Sequence, residues 1–94
     1  MKIFVVATRT GNADEIAKLL EPEAKMALGM VADDFVREIY SRKDGQGAIV
    51  VVEADSLEDA QARLGKLPLV EAGLLTVEYY PVGAYRAIVA AANA

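Results

Sequence analysis

The sequence predicts an α+β domain whose elements run strand, helix, strand, strand, helix, strand. Three observations carry that expectation. The chain opens on a β-branched run of strand length, Lys2 to Thr8. Two stretches with helical apolar spacing lie between runs of strand character. The tetrapeptide Asp44-Gly45-Gln46-Gly47 sits between two such runs as a hairpin signal.

Lys2 to Thr8 is apolar on both faces, which suits a central strand covered from both sides. Gly11-Asn12 ends it. Asn12 can cap a helix, and Glu15 three positions later completes a capping-box-like pattern. Ile16, Leu19, Leu20, Ala24, Ala27, Leu28 and Val31 then recur at helical spacing. Pro22 interrupts them. A proline inside a helix removes a hydrogen bond and clashes with the preceding turn, but suits a first helical position. The expectation is a short segment over about 13–20 and a main helix over about 22–32.

Phe35 to Arg42 alternates as a strand, with Phe35, Arg37, Ile39 and Ser41 on one face and Val36, Glu38, Tyr40 and Arg42 on the other. Ala48 to Glu53 is a second apolar strand. Ser56, followed by Glu58 and Asp59, starts a helix running to about Leu67, with Leu57, Ala60, Leu64 and Leu67 inward; Pro68 ends it. Leu74 to Val82 is the fourth strand, and Pro81 marks it as an edge. The Ala-rich tail from about 84 reads as a helical turn or as an arm laid on another chain.

Two right-handed crossovers in this order build a four-stranded antiparallel sheet with both helices on one face, the ferredoxin-like arrangement, here one domain over 1–94. The first and third strands are apolar on both sides, and no third helix is long enough to cover the far face. A second copy of the sheet is the simplest cover, so a homodimer is expected. Composition agrees: 54% of the 94 residues are hydrophobic, while a chain of this size buries only about 64% of its surface on folding.

The net charge is −4, with 10 Lys and Arg against 14 Asp and Glu. No basic run occurs, so neither nucleic acid nor an anionic membrane surface is an expected partner. Cysteine and histidine are both absent, which removes thiolate and imidazole metal sites, cysteine nucleophiles, histidine bases and the Ser-His-Asp triad. No acid cluster has metal-ligand spacing, and the Gly45 and Gly47 pair is a turn, not a phosphate loop. No cofactor is expected. The short opening apolar run does not read as a signal peptide, and no stretch reaches the length of a membrane span, so the cytoplasm is the default compartment.

Leu67-Pro68-Leu69-Val70-Glu71-Ala72-Gly73-Leu74-Leu75, the following strand, and Pro81-Val82-Gly83-Ala84-Tyr85 resemble the C-terminal half of the muconolactone isomerase-like proteins. So does Arg37-Glu38-Ile39-Tyr40-Ser41-Arg42 leading into the hairpin. The resemblance spans nearly the whole chain in element order and is most specific in the Leu-Pro-Leu segment. It implies the dimeric α/β-barrel superfamily, sheet-to-sheet dimers or rings of them, and a pocket between helices and sheet. It also implies double-bond migration in a lactone by proton transfer, without metal or cofactor.

Glu23 is the first candidate for chemistry. It lies three residues after Leu20 and four before Ala27, beside the apolar stripe, where a desolvated carboxylate gains the basicity to move a proton next to a carbonyl. An acid just after a first-turn proline also simply complements the helix dipole. Arg37 is a charge on the face of Phe35 and Ile39, placed either to hold a substrate carboxylate or to pair with an acid across a dimer. Tyr40 reads as a rim residue or a hydrogen-bond donor. Tyr79 and Tyr80 point to opposite faces of the fourth strand, and Tyr79 joins the candidate substrate contacts. Glu53, Lys18 and Lys25 read as solvated.

The expected activity is therefore a cofactor-independent proton shift on a small lactone or oxygenated anion, with Glu23 as acid–base group and Arg37, Tyr40 and Tyr79 as substrate contacts. The alternatives are a non-catalytic dimeric module that binds a small ligand or a protein, and a cofactor-free monooxygenase.

Overall fold

A computed structural model describes all 94 residues. Its elements are β1 (Lys2–Arg9), α1 (Ala13–Ala32), β2 (Val36–Ser41), β3 (Gly47–Glu53), α2 (Leu57–Leu64), α3 (Pro68–Glu71), β4 (Leu75–Val82) and α4 (Arg86–Ala92). The strands form one antiparallel sheet in the order β2-β3-β1-β4. The apolar strands β1 and β3 are central, and Pro81 lies on an edge strand, where its missing N–H interrupts no ladder on the open side. The fold is the ferredoxin-like one expected from element order.

Period-two alternation splits the sheet into two surfaces. Ile3, Val5, Ala7, Val50 and Val52 face the helices and are buried. Phe4, Ile49, Tyr80 and Val82 face away and remain exposed, together with Tyr40. Main-core residues Ile3, Phe35, Val36, Val52, Ala60 and Leu64 pack at one end of the helix-facing side. Ile16, Leu69 and Leu74 form a smaller cluster at the other end. No helix is long and apolar enough to cross a membrane.

Asn12 caps α1, its Oδ1 accepting from the N–H groups of Asp14 at 2.7 Å and Glu15 at 3.4 Å. The helix does not break at Pro22, contrary to the expectation from local sequence; it runs unbroken through it. An internal proline costs about 3 kcal/mol. Ile16 before it and Met30 after it are both buried in the apolar clusters, while Leu20, Leu28 and Val31 of the expected stripe stay exposed, and burial of two such side chains offsets about 3–6 kcal/mol. Packing therefore overrides the local preference.

The second helical region is also divided differently from expectation. Ser56 Oγ accepts from Asp59 N–H, α2 stops at Leu64, and α3 is a separate turn beginning at Pro68. Proline at the first position sets its start because it needs no hydrogen-bond partner there.

The β2 pairing shifts between Val36, opposite Val52, and Glu38, opposite Val51. Arg37 is the extra residue of this bulge. The expected alternation, with Phe35, Arg37, Ile39 and Ser41 on one face, is therefore corrected: Val36, Ile39 and Ser41 share the helix-facing side. Glu38 and Tyr40 take the outer side, with Tyr40 Oη donating to Glu38 Oε1 at 2.7 Å.

Gly47 has φ +152°, and a Cβ there would collide with the Ala7 carbonyl oxygen. Gly47→Ala is expected to cost at least about 2 kcal/mol, from backbone strain plus displacement of β1. Thermal denaturation should show a fall in Tm of roughly 10 °C, given about 4–8 °C per kcal/mol for a domain of this size.

Candidate active site

Between the two apolar clusters the helices and sheet leave a cavity of about 290 Å³. Its position follows from side-chain size. Toward the hairpin end the helix-facing row shrinks to Ala7 and Ala48, with Gly47 next to them in the wall, and α1 presents Ala24 and Ala27 above them. Five small residues facing one another cannot fill the layer that Phe35, Met30 and Ile3 fill at the other end. Leu67, Leu69 and Val70 close the side under α3, so the Leu-Pro-Leu segment forms part of the wall.

Of the 18 residues around this space, 14 are hydrophobic, so the few polar groups stand out. Glu23 enters from α1. It is half-buried, and its Oε1 accepts from the Leu69 N–H of α3 at 2.9 Å. Burial raises its pKa above the usual 4.5; the Leu69 hydrogen bond opposes this but is the smaller effect. Ser41 lines the cavity from the end of β2, and Arg9 from the end of β1.

The raised pKa has a consequence for stability. The folded chain binds the Glu23 proton more tightly than the unfolded chain, so this group makes stability fall as pH rises from about 4.5 through its higher folded value. Glu23→Gln keeps an acceptor for Leu69 N–H and removes the charge. The variant should match the wild type below pH of about 4.5 and become the more stable of the two as pH rises through that window. Asp44 and Glu53 have lowered pKa values, held down by the Gln46 N–H and by the N-terminal ammonium respectively. Their contribution has the opposite sign but cancels in the difference between the two proteins, which paired urea titrations across pH would measure.

The structure does not gather the other sequence-predicted contacts around Glu23. Arg37 is carried by the bulge to the outer side, where it helps lower the Glu53 pKa, and its Nε donates to Asp34 O at 2.7 Å. Tyr40 is exposed on the outer face. Tyr79 does face the helices, but it packs against the main core cluster and is not part of the cavity wall; burial raises its pKa. The placement of Arg37 follows from the bulge and that of Tyr79 from its position along β4, neither of which a strict alternation conveys; Tyr40 lies opposite Ile39 and Ser41, as the alternation expects.

Two cavity residues carry no role in the sequence analysis. Ser41 lies on the face expected for it, but nothing in its spacing distinguishes it from a solvated hydroxyl. Arg9 lies beyond a first strand that local patterning ends at Thr8; the row Ile3, Val5, Ala7, Arg9 is the signal that sets it on the helix-facing side. Around the cavity and elsewhere, no group of three or more His, Cys, Asp or Glu side chains could hold a metal ion.

No protein-family model matches the sequence, and no curated protein does. Solved structures do match in fold. A crystal structure of muconolactone isomerase aligns with TM-score 0.76 at 17% identity, covering 90% of this chain and 91% of that one. The 5-chloro-2-hydroxyhydroquinone dehydrochlorinase of Burkholderia phenoliruptrix, in complex with 2,5-dihydroxybenzoquinone, aligns with TM-score 0.75 at 12% identity over 93% and 98% of the two chains. An antibiotic biosynthesis monooxygenase-like protein from Deinococcus radiodurans aligns with TM-score 0.53 at 18% identity over 90% and 95%. At these identities the likeness establishes the fold, shared by small-molecule-processing proteins of different chemistry.

Proposed function

We propose that the chain is a cofactor-independent isomerase that binds a small oxygenated ring between helices and sheet and moves a proton on it with Glu23. The observation that carries this reading is a half-buried carboxylate of raised pKa in the wall of a cavity that is otherwise nearly all apolar. A space of about 290 Å³ lies just under the roughly 300–1,000 Å³ of drug-sized sites, so it suits a single ring. Neighbours in fold that include an isomerase of a lactone and a protein complexed with a dihydroxybenzoquinone support this ligand class.

The step is a proton shift across an allylic system. Glu23 carboxylate takes a proton from the carbon adjacent to the lactone carbonyl or vinylogous to it. The carbon–hydrogen bond pair moves into the ring to give a dienolate, and the carboxylic acid then returns the proton to another carbon of the same system. Nothing is oxidised or reduced. Burial brings the base nearer in strength to neutral pH, where acid–base catalysis is most effective. The Leu69 N–H holds the carboxylate in one orientation, and Ser41, a hydroxyl-bearing residue of the same cavity wall, is the proposed donor to the enolate oxygen.

The test is proton NMR of muconolactone in heavy water with and without the protein. Deuterium entering the ring, or migration of its double bond, is the expected result; an unchanged spectrum at high protein concentration would sink the isomerase reading. We also propose that the outer face of the sheet takes a second copy of this chain. Phe4, Ile49, Tyr80 and Val82 are exposed there, and contiguous apolar surface of this kind marks an interface. The helix α4 buries no residue, and Tyr85 and Ile88 are 72% and 67% exposed. Seven residues do not hold a helix alone in water, so α4 is assigned to the same assembly as an arm on the partner.

A further inference from the structure

We infer that Arg9 selects the charge of the ligand: its guanidinium, at the edge of the cavity, takes the carboxylate of a small ring acid whose apolar body sits over Ala7 and Ala48. The inference rests on the reading of this cavity as a substrate site and adds the residue that reads the ligand's charge, a role expected of Arg37 from the sequence.

Arg9 continues the helix-facing row of β1 after the buried Ile3, Val5 and Ala7, and it pairs across the sheet with Leu75, another cavity residue. Its backbone is fixed from the hairpin side, its N–H donating to Gln46 O at 2.7 Å. The side chain therefore starts from a rigid position on the apolar side of the sheet, and it is the one cation among the cavity residues.

The second observation is that this charge has no protein partner. The ion pairs of the molecule join the N-terminus to Glu53, Lys25 to Glu21, Arg42 to Asp44 and Arg63 to Asp33. Arg37, not in an ion pair, spends its Nε on Asp34 O. Arg9 appears in none of these contacts. Glu23, the one acid in the cavity, is engaged with Leu69 N–H and forms no ion pair with Arg9.

A free guanidinium beside apolar walls is suited to a planar carboxylate, which it can hold by two parallel hydrogen bonds. The chain as a whole carries −4, so its overall field does not draw anions in. Attraction must be local, and only a ligand that places its carboxylate at the edge and its ring inside satisfies both surfaces. Such a ligand would also lie with its ring toward Glu23 and its charge away from that carboxylate.

Ligand-observed NMR titration with 2-furoate and methyl 2-furoate tests this on the wild type and on Arg9→Gln. The two probes share a five-membered oxygen ring and differ in charge. The wild type is expected to prefer the acid by about tenfold, the scale of one charge-assisted contact, and to lose most of that preference when salt rises from about 50 to about 500 mM. Arg9→Gln is expected to bind the ester as the wild type does and to show no preference. Retention of the acid preference by Arg9→Gln, or ester binding without any acid preference in the wild type, overturns the role of Arg9 and leaves the ring-binding cavity standing. Failure of the wild type to bind either probe at about 10 mM overturns the role together with the cavity reading. Loss of ester binding in Arg9→Gln alone, with the fold intact by circular dichroism, overturns charge selection in favour of a packing role.

Discussion

Glu23→Gln is expected to lower the rate of deuterium exchange into a lactone ring by about 10²–10⁴-fold, the range spanned by a positioned acid–base group. The substitution isolates proton transfer. Glutamine has nearly the same shape, and its amide oxygen can still accept from Leu69 N–H, so α3 stays attached to α1. The cavity walls proposed to bind the ring, Ala7, Ala48, Leu67 and Val70 among them, are untouched. KM should therefore change little while kcat falls. Removing an ionised carboxylate from a half-buried position should not weaken the fold at neutral pH, because burial disfavours that charge. A variant that folds, binds the ring and has lost exchange would assign the base. A variant that retains more than about a tenth of the wild-type rate would remove Glu23 from the chemistry.

The pH profile of exchange gives the same assignment independently. A base must be ionised, so kcat/KM should rise through the pKa of Glu23, and its midpoint should lie above the 4.5 of an ordinary glutamate. A profile flat above pH of about 4.5 would mean that burial does not tune this group.

Placing a charge on the outer face of the sheet is expected to turn a dimer into a monomer. Phe4 and Ile49 are the suitable positions. They are 40% and 37% exposed in the single chain, so Phe4→Glu and Ile49→Glu leave the helix-facing core intact. In an assembled pair each glutamate would be buried against apolar surface without a partner, at a cost of several kcal/mol. Because a two-fold interface repeats every change, a single substitution acts twice. Sedimentation velocity should show about twice the monomer mass for the wild type and monomer mass for the double variant, with an unchanged far-ultraviolet dichroism spectrum. A wild type that sediments as a monomer at all concentrations would overturn the proposed assembly. Val51 would be a poor choice for this experiment, because it is only 2% exposed even in the isolated chain, and a charge there would act on the fold itself.

Much of the architecture is legible in the chain because it depends on local periodicity and turn chemistry. Asp44-Gly45-Gln46-Gly47 announces the hairpin, and Gly45 and Gly47 do adopt positive φ values of 74° and 152°. Ser56 and Asn12 cap the helices they are expected to cap, and Pro81 lies on an edge strand. Element order then leaves one sensible topology, because crossovers have a fixed hand. Glu23 is legible as an acid beside an apolar stripe, since helical spacing conveys which face a residue shares.

Tertiary structure decided the rest. Pro22 reads locally as a helix start, and only the burial of Ile16 before it and Met30 after it carries α1 through it. The bulge at Arg37 is a property of how β2 meets β3, not of either strand alone, and one extra residue exchanges the faces on either side of it. That exchange separated Arg37 from Ile39 and Ser41, and with them from Glu23. The cavity itself lies where small residues distant in sequence, Ala7, Ala24, Ala27, Gly47 and Ala48, come to face one another. Packing volume is a sum over such neighbours, so no window of the sequence contains it.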